Sequence, residues 1–233
     1  MILNPYRYSA AGGIPRDNLE IEYLFSSGTT TTPDTSGNGN DCTLTGATVS
    51  GGVIDFDGNN DYGKADNIVS IGTGSMSWSF WFETDNASNT VAMVRQGRNA
   101  TSGNGRFDGL QVLLVSSKIR GSFLDFENSG NFYEINSAAT ISTAAWYHVA
   151  LVLDASAETM ELYVDGSSEG SVSVSTAAPW NITSISTPSI GSREVVTGNF
   201  TGDDMDGRLD NVRLYSDALT AAEVTELFNE GHD

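Results

Sequence analysis

Apolar and polar positions alternate with a period of two through most of this chain, the spacing of strands that bury one face. The clearest run is Ser77 to Thr84, SWSFWFET, where Trp78, Phe80 and Phe82 fall on one side and Ser77, Ser79 and Trp81 on the other. Val53 to Phe56, Thr90 to Arg95, Gly109 to Val115, Lys118 to Phe126 and Phe132 to Asn136 predict further strands. So do Trp146 to Leu153, Thr159 to Val164, Gly170 to Val174 and Ser184 to Gly191. Between ELYV and SSEGSVSV, Asp165-Gly166 tolerates the positive φ of a tight hairpin turn. Ten or more short strands divided by turn residues predict an all-β sandwich.

A helical period is confined to Thr220 to Asn229, where Ala221, Val224, Leu227 and Phe228 make one apolar face. Thr220 and Glu223 have the spacing of a capping box, and the strand before them carries Leu209, Val212, Leu214 and Tyr215. This helix is expected to plug one edge or end of the sandwich. Residues 1–18, with Pro5, Gly12, Gly13 and Pro15, show no period and read as an extended arm ahead of a domain over 19–233. Tyr6, Arg7 and Tyr8 are residue types enriched where proteins dock, so the arm is read as a tether to a partner.

A length of 233 residues suits one large all-β domain, and the net charge of −19 repels phosphate backbones and anionic lipid. Nucleic-acid and membrane partners are therefore not expected. The single cysteine, Cys42, allows no internal disulfide and reads as a buried structural thiol. No signal peptide is read in MILNPYRYSAAGG, which points to synthesis in the cytosol.

The succession DTSGNGND, TGATVSGGVIDFDGNNDYG, SMSWSFWF, AAWYHVALVLD, MELYVDGS, SIG and GRLDNVRLYSDALTAAEVTELFNEG resembles the laminin-G-like, concanavalin A-like jelly-roll modules. That resemblance covers about residues 20–231 and implies two antiparallel sheets packed face to face, with one short C-terminal helix. It also implies structural calcium, joining the early loop to the start of the last strand. Asp34, Asn38 and Asp41, with Asp210, are the residues so indicated, and the loop reads equally as a plain turn cluster. The more distant pentraxins bind through acids after a strand-end glycine. Here only Glu194 matches, with Val196 at the next acid position and Arg193 beside it, so that function is not carried over.

Retaining glycanases of this fold place acids at alternate positions of one strand. Asp125 with Glu127 and Glu20 with Glu22 are the nearest pairs, and both lack the third acid of that pattern. His148 shares a strand face with Trp146 and reads as structural; His232, close to the end of the sequence, is given no role. The chain is therefore read as no enzyme. The function expected is a structural or binding module, a capsid decoration protein or tail or fibre component of a tailed virus, docked through its arm and homo-oligomeric. Its place would be the virion surface or the extracellular space. The alternative is a calcium-dependent carbohydrate-binding module or adhesin, with Tyr133 and Trp180 stacking on sugars; a glycoside hydrolase comes third. Arg95, Arg98 and Arg106 gather around the loop 96–106 and suggest contact with an acidic partner, against the plainer reading of a solvated hairpin tip.

Overall fold

The computed structural model describes residues 13–26, 28, 30–67, 69, 72–99, 107–125, 131–174, 187–196, 199–200 and 203–232. In chain order the strands are β1 (Leu19–Tyr23), β2 (Thr31–Thr32), β3 (Cys42–Thr45), β4 (Thr48–Ser50), β5 (Val53–Asp57) and β6 (Tyr62–Ala65). Then come β7 (Met76–Thr84), β8 (Thr90–Asn99), β9 (Phe107–Val115), β10 (Lys118–Asp125), β11 (Asn131–Asn136) and β12 (Tyr147–Asp154). The last are β13 (Thr159–Val164), β14 (Ser167–Ser173), β15 (Ser189–Ile190), β16 (Glu194–Val196), β17 (Asn199–Phe200) and β18 (Asp206–Tyr215), followed by the helix α1 (Ala221–Glu230).

Two antiparallel sheets of eight strands form the expected sandwich. The first runs β14-β13-β12-β7-β18-β5-β4, with β1 also on β18; the second runs β11-β10-β9-β8-β15-β6-β3-β2. Trp78, Phe80 and Phe82 point between the sheets, where they pack with residues such as Ile54, Phe56, Leu110, Val112, Phe123, Leu151 and Leu209. Asp165 (φ 49°) and Gly166 (φ 71°) make the hairpin turn between β13 and β14. The predicted strand over 184–191 survives as Ser189–Ile190, residues 184–186 lying outside the described set.

The last long strand is central. Its residues Gly207 to Tyr215 pair with β7, while its other edge takes β5 through Asp206–Leu209 and β1 through Val212–Tyr215. A bulge between Asp210 and Arg213 places Asn211 at φ 49° and lets Val212 and Leu214 face the core while Arg213 and Tyr215 face outward.

The helix does not plug an edge. It lies flat on the outer face of the first sheet, where Val224 and Leu227 pack with Leu19, Ala150, Val152, Tyr163, Tyr215 and Leu219 in a second apolar cluster. The reason is visible in β7, whose outward residues Ser77, Ser79 and Trp81 are as buried as its inward ones. Trp81 stacks on Phe228 of the helix at 5.6 Å, and Gly166 passes so close to Phe228 that an added Cβ would stand 3.0 Å from its ring. The capping box is formed as expected: Glu223 N donates to Thr220 Oγ1 and Thr220 N donates to Glu223 Oε2. Thr220→Ala is expected to cost about 1 kcal/mol. That should appear as a melting temperature lowered by roughly 2–4 °C, with the β-sheet circular dichroism unchanged.

The part of the expected arm that is described belongs to this seal. Ile14 packs on the second cluster, Pro15 O accepts from Tyr215 Oη (3.3 Å), Arg16 pairs with Glu22 (2.5 Å) and Asn18 O accepts from Ser216 N (2.8 Å). Tyr6, Arg7 and Tyr8 lie outside the described residues.

Candidate functional site

The two outer faces of the sandwich differ in kind. Beneath the helix, Arg213 is fully buried between two carboxylates: its Nε donates to Glu22 (3.0 Å), and its two terminal nitrogens bind Glu230 bidentately at 2.6 and 2.8 Å. Burial alone would raise the Glu22 carboxyl, but the hydrogen bond from Thr35 and the charges of Arg213 and Arg16 outweigh it and hold the group below its ordinary range. Glu20 accepts from Ser216 Oγ (2.6 Å). The acid pair Glu20 and Glu22 is thus spent on fastening strand to strand and strand to helix, and offers no cleft. Of the other pair, Glu127 and the side chain of Asp125 lie outside the described residues.

His148 is buried beside Trp81 (5.4 Å), and its Nε2 lies 2.9 Å from Ser79 Oγ. Its role is structural, as the sequence suggested. His232 departs from expectation: its ring stacks on Trp146 at 4.5 Å and meets Trp81 at 5.0 Å, extending the aromatic cluster beyond the end of the helix.

The calcium expectation meets a carboxylate already satisfied. Asp34 Oδ1 accepts from the backbone N–H groups of Glu22 and Ser36 (2.9 Å each), and Oδ2 accepts from Ser36 Oγ (2.7 Å) and Asn40 N (3.0 Å). Asp41 Oδ1 accepts from Asp34 N, and Asn38 Nδ2 donates to Leu19 O (2.7 Å). Asp210 is buried elsewhere, at the bulge of β18 opposite Trp81, where it accepts from Asn211 N (2.6 Å). Among the described residues no three Asp, Glu, His or Cys side chains converge on a point. Asp34, Asn38, Asp41 and Asp210 as placed do not fit a calcium shell, because the loop carboxylates accept from N–H and O–H donors where a cation would need open oxygens.

Strand register puts a different group together on the outer face of the second sheet. Cross-strand partners run Glu134, Ser122, Gln111, Arg95, Ser189, Lys64, Thr43 and Thr31, one residue from each of the eight strands and every one polar. A polar outer face is ordinary; burial of its centre is not. Ser122 is 0% exposed, Arg95 5% and Gln111 9%, and neither Ser122 Oγ nor Gln111 Oε1 has a hydrogen-bond partner among the described residues. Buried polar atoms are nearly always paired, so two adjacent orphans are unusual; both have almost no accessible surface and lie beneath other atoms of the chain. Beside the row, Phe132, Leu124 and Gly109 are aligned across three strands, and Phe132 is 53% exposed. Gly109 (φ 139°) is buried there and packs closely on the neighbouring strand, since a Cβ would sit 2.2 Å from Gln96 O.

Tyr133, expected to stack on sugars, lies on the opposite side of its strand: it pairs with Phe123, stacks on that ring (6.2 Å, 12°) and packs on the inter-sheet core. The aromatic ring offered outward is its neighbour Phe132, a one-residue difference that strand parity inverts. Trp180 lies outside the described residues.

Residues 57–225 match the laminin G-type family model described as the concanavalin A-like lectin/glucanases superfamily. The chain belongs to this superfamily. Solved structures of similar fold include the binding domain of Paraclostridial Mosquitocidal Protein 1 (TM-score 0.71, 20% identity, covering 92% of this chain and 52% of that one). The botulinum neurotoxin serotype D ligand binding domain, in complex with N-acetylneuraminic acid, superposes with a TM-score of 0.72 at 14% identity (96% and 53% covered). The binding domain of botulinum neurotoxin DC, in complex with SialylT, gives 0.70 at 15% (92% and 52%). This superfamily member thus spans about half the length of those structures, and at such identities they establish its fold. A comparison with curated protein sequences finds no significant match. Among the described residues no helix is long and apolar enough to cross a membrane.

Proposed function

We propose that this protein is a non-catalytic, lectin-type binding module that engages carbohydrate through the outer face of its second sheet. The observation that carries the reading is the asymmetry of the two faces: one is sealed by the helix and residues 13–18, while the other is polar from strand to strand and offers the ring of Phe132, 53% exposed. Membership of a lectin and glucanase superfamily supports it, as does the engagement of Glu20 and Glu22 in structural contacts. N-acetylneuraminic acid and SialylT, held in the toxin complexes, support carbohydrate in general; the chain covers only half of each of those structures, so the particular sugar does not transfer.

The setting we propose is the surface of a larger particle, a virion among them, with residues 1–12 as the tether. Residues 13–18 are fixed on the sealed side, so an anchor there leaves the row on the side facing away. In light scattering, the full chain should form or join an oligomer that a chain lacking residues 1–12 does not; two monomers of equal mass would remove the tether from the reading.

A glycan array tests the binding itself, in calcium and in chelator. Hits are expected in both buffers and are expected to weaken in Phe132→Ala, whose ring is 53% exposed on that face. Phe132 is exposed, so the same variant should melt close to the parent. An array without hits, or hits that Phe132→Ala retains undiminished, would overturn the reading.

A further inference from the structure

A tether formed by residues 1–12 needs a place to dock, and the inference that follows rests on that tether reading. We propose that Arg7 of one copy of this chain enters the cavity between residues 13–16 and the end of α1 on a second copy, so that two copies exchange arms across a two-fold axis.

Three features of the sealed face point to that occupant. The first is room. A cavity of about 350 Å³, the size of a small ligand site, is lined by Gly13, Ile14, Arg16, Glu226, Asn229 and Glu230. Half-buried Ile14 gives it an apolar wall, against which the stem of a long side chain can lie while its charged head reaches the carboxylates.

The second is charge. Arg16 of the lining pairs with Glu22, and Glu230 of the lining pairs with Arg213, which also binds Glu22. That network balances two guanidinium groups against two carboxylates and leaves no positive charge for Glu226, which has no ion pair among the described residues. Glu226 and Glu230 stand four apart on the helix, where like charges repel, and no basic residue in the last turn meets the negative end of the helix dipole. The cavity is therefore one cation short. Among the described residues no three acids converge closely enough for a metal ion, whereas a guanidinium spreads its donors over a planar fork.

The third is the segment at hand. In residues 1–12, MILNPYRYSAAG, Arg7 is the one charged side chain, and Tyr6 and Tyr8 beside it are of a type enriched where proteins dock. These residues join the described chain at Gly13, itself part of the lining, and Arg7 precedes Gly13 by six residues, a reach of about 20 Å when extended. To enter its own cavity the arm would have to reverse within residues 8–12. Running straight on, it crosses to a copy that presents the same rim, and the exchange is reciprocal and closed.

Light scattering of the full chain tests this with two charge reversals, Arg7→Glu and Glu226→Arg. The parent should be a dimer. Each variant alone sets like charges together and should weaken the dimer on the order of a hundredfold, with unchanged circular dichroism. An equimolar mixture of the two variants should recover it, because in the mixed pair both arm-to-cavity contacts again join opposite charges. If removal of residues 1–12 abolishes the dimer but either reversal leaves it intact, or the mixture stays monomeric, this docking place is overturned and the tether stands. Equal monomeric masses for the full chain and the chain lacking residues 1–12 overturn both.

Discussion

Arg213→Ala is expected to destabilise the protein by about 3–5 kcal/mol, more than any other single polar substitution on the sealed face. Arg213 is 1% exposed and joins β1 through Glu22 to α1 through Glu230. Bringing such a charge out of water is costly, and the attraction of two carboxylates offsets that cost only while the geometry is complete. Truncation would leave the Glu22 carboxylate, 0% exposed, facing a cavity, with Thr35 and Arg16 as its remaining donors. The charge of Glu22 would then be worth less than its desolvation, which is why the loss exceeds that of an exposed ion pair. Replacing both members by neutral groups of similar volume, Glu22→Gln with Arg213→Met, removes the orphaned charge and should recover much of the loss. Urea unfolding of the two singles and the double gives the coupling. If the double mutant lost as much as the sum of the singles, the network would not be the source of the effect.

How much of this molecule is legible in its residues depends on the length scale of each feature. Strands and the capped helix are legible because their signals are local: SWSFWFET has its period within eight residues, and Thr220 with Glu223 has its box within four. Where the helix lies is not legible. Its landing surface is assembled from Leu19, Ala150, Val152, Tyr163 and Tyr215, one or two residues from each of four strands, and Ser77, Ser79 and Trp81 on β7 look like a solvent face. The polar row is hidden for the same reason. Ser122, Gln111, Arg95 and Ser189 become neighbours only through the registers of three strand pairs, and none stands out in its own segment. Tyr133 and Phe132 show how narrow the margin is, because one residue along a strand exchanges core for surface. Asp34 misleads in another way: a loop rich in Asp, Asn and Gly supplies oxygens, but the same composition supplies backbone N–H donors that consume them.

His148 makes the fold acid-labile in a window of its own. Burial, and after it the positive charge of Arg213, push its imidazole down to about 3 from an ordinary 6.5. The groups around it leave no place for a proton's charge: Trp81 and Phe228 flank the ring, Ser79 Oγ meets Nε2, and Asp165 accepts the backbone N–H rather than a ring nitrogen. The folded protein therefore keeps His148 neutral while the unfolded chain protonates it below pH 6.5. Stability present above pH 6.5 is lost as pH falls through that value, and continues to fall until about pH 3. One proton taken up only by the unfolded chain corresponds to roughly 2–3 kcal/mol between pH 6.5 and 4.5. Glu22, held below its ordinary 4.5, adds a loss of the same sign at lower pH. Asp61 and Asp206, raised first by burial and then by neighbouring carboxylates, act in the opposite direction. These three contributions are common to the parent and to His148→Gln, which keeps a neutral polar group against Ser79. The difference between the two unfolding free energies, followed by urea titration from pH 7 to 4.5, should therefore isolate the histidine: the parent loses its roughly 2–3 kcal/mol relative to the variant. Parallel curves would mean that His148 takes up its proton in the fold, and that the cluster of Trp81, Phe228 and His232 opens to admit water before the sandwich does.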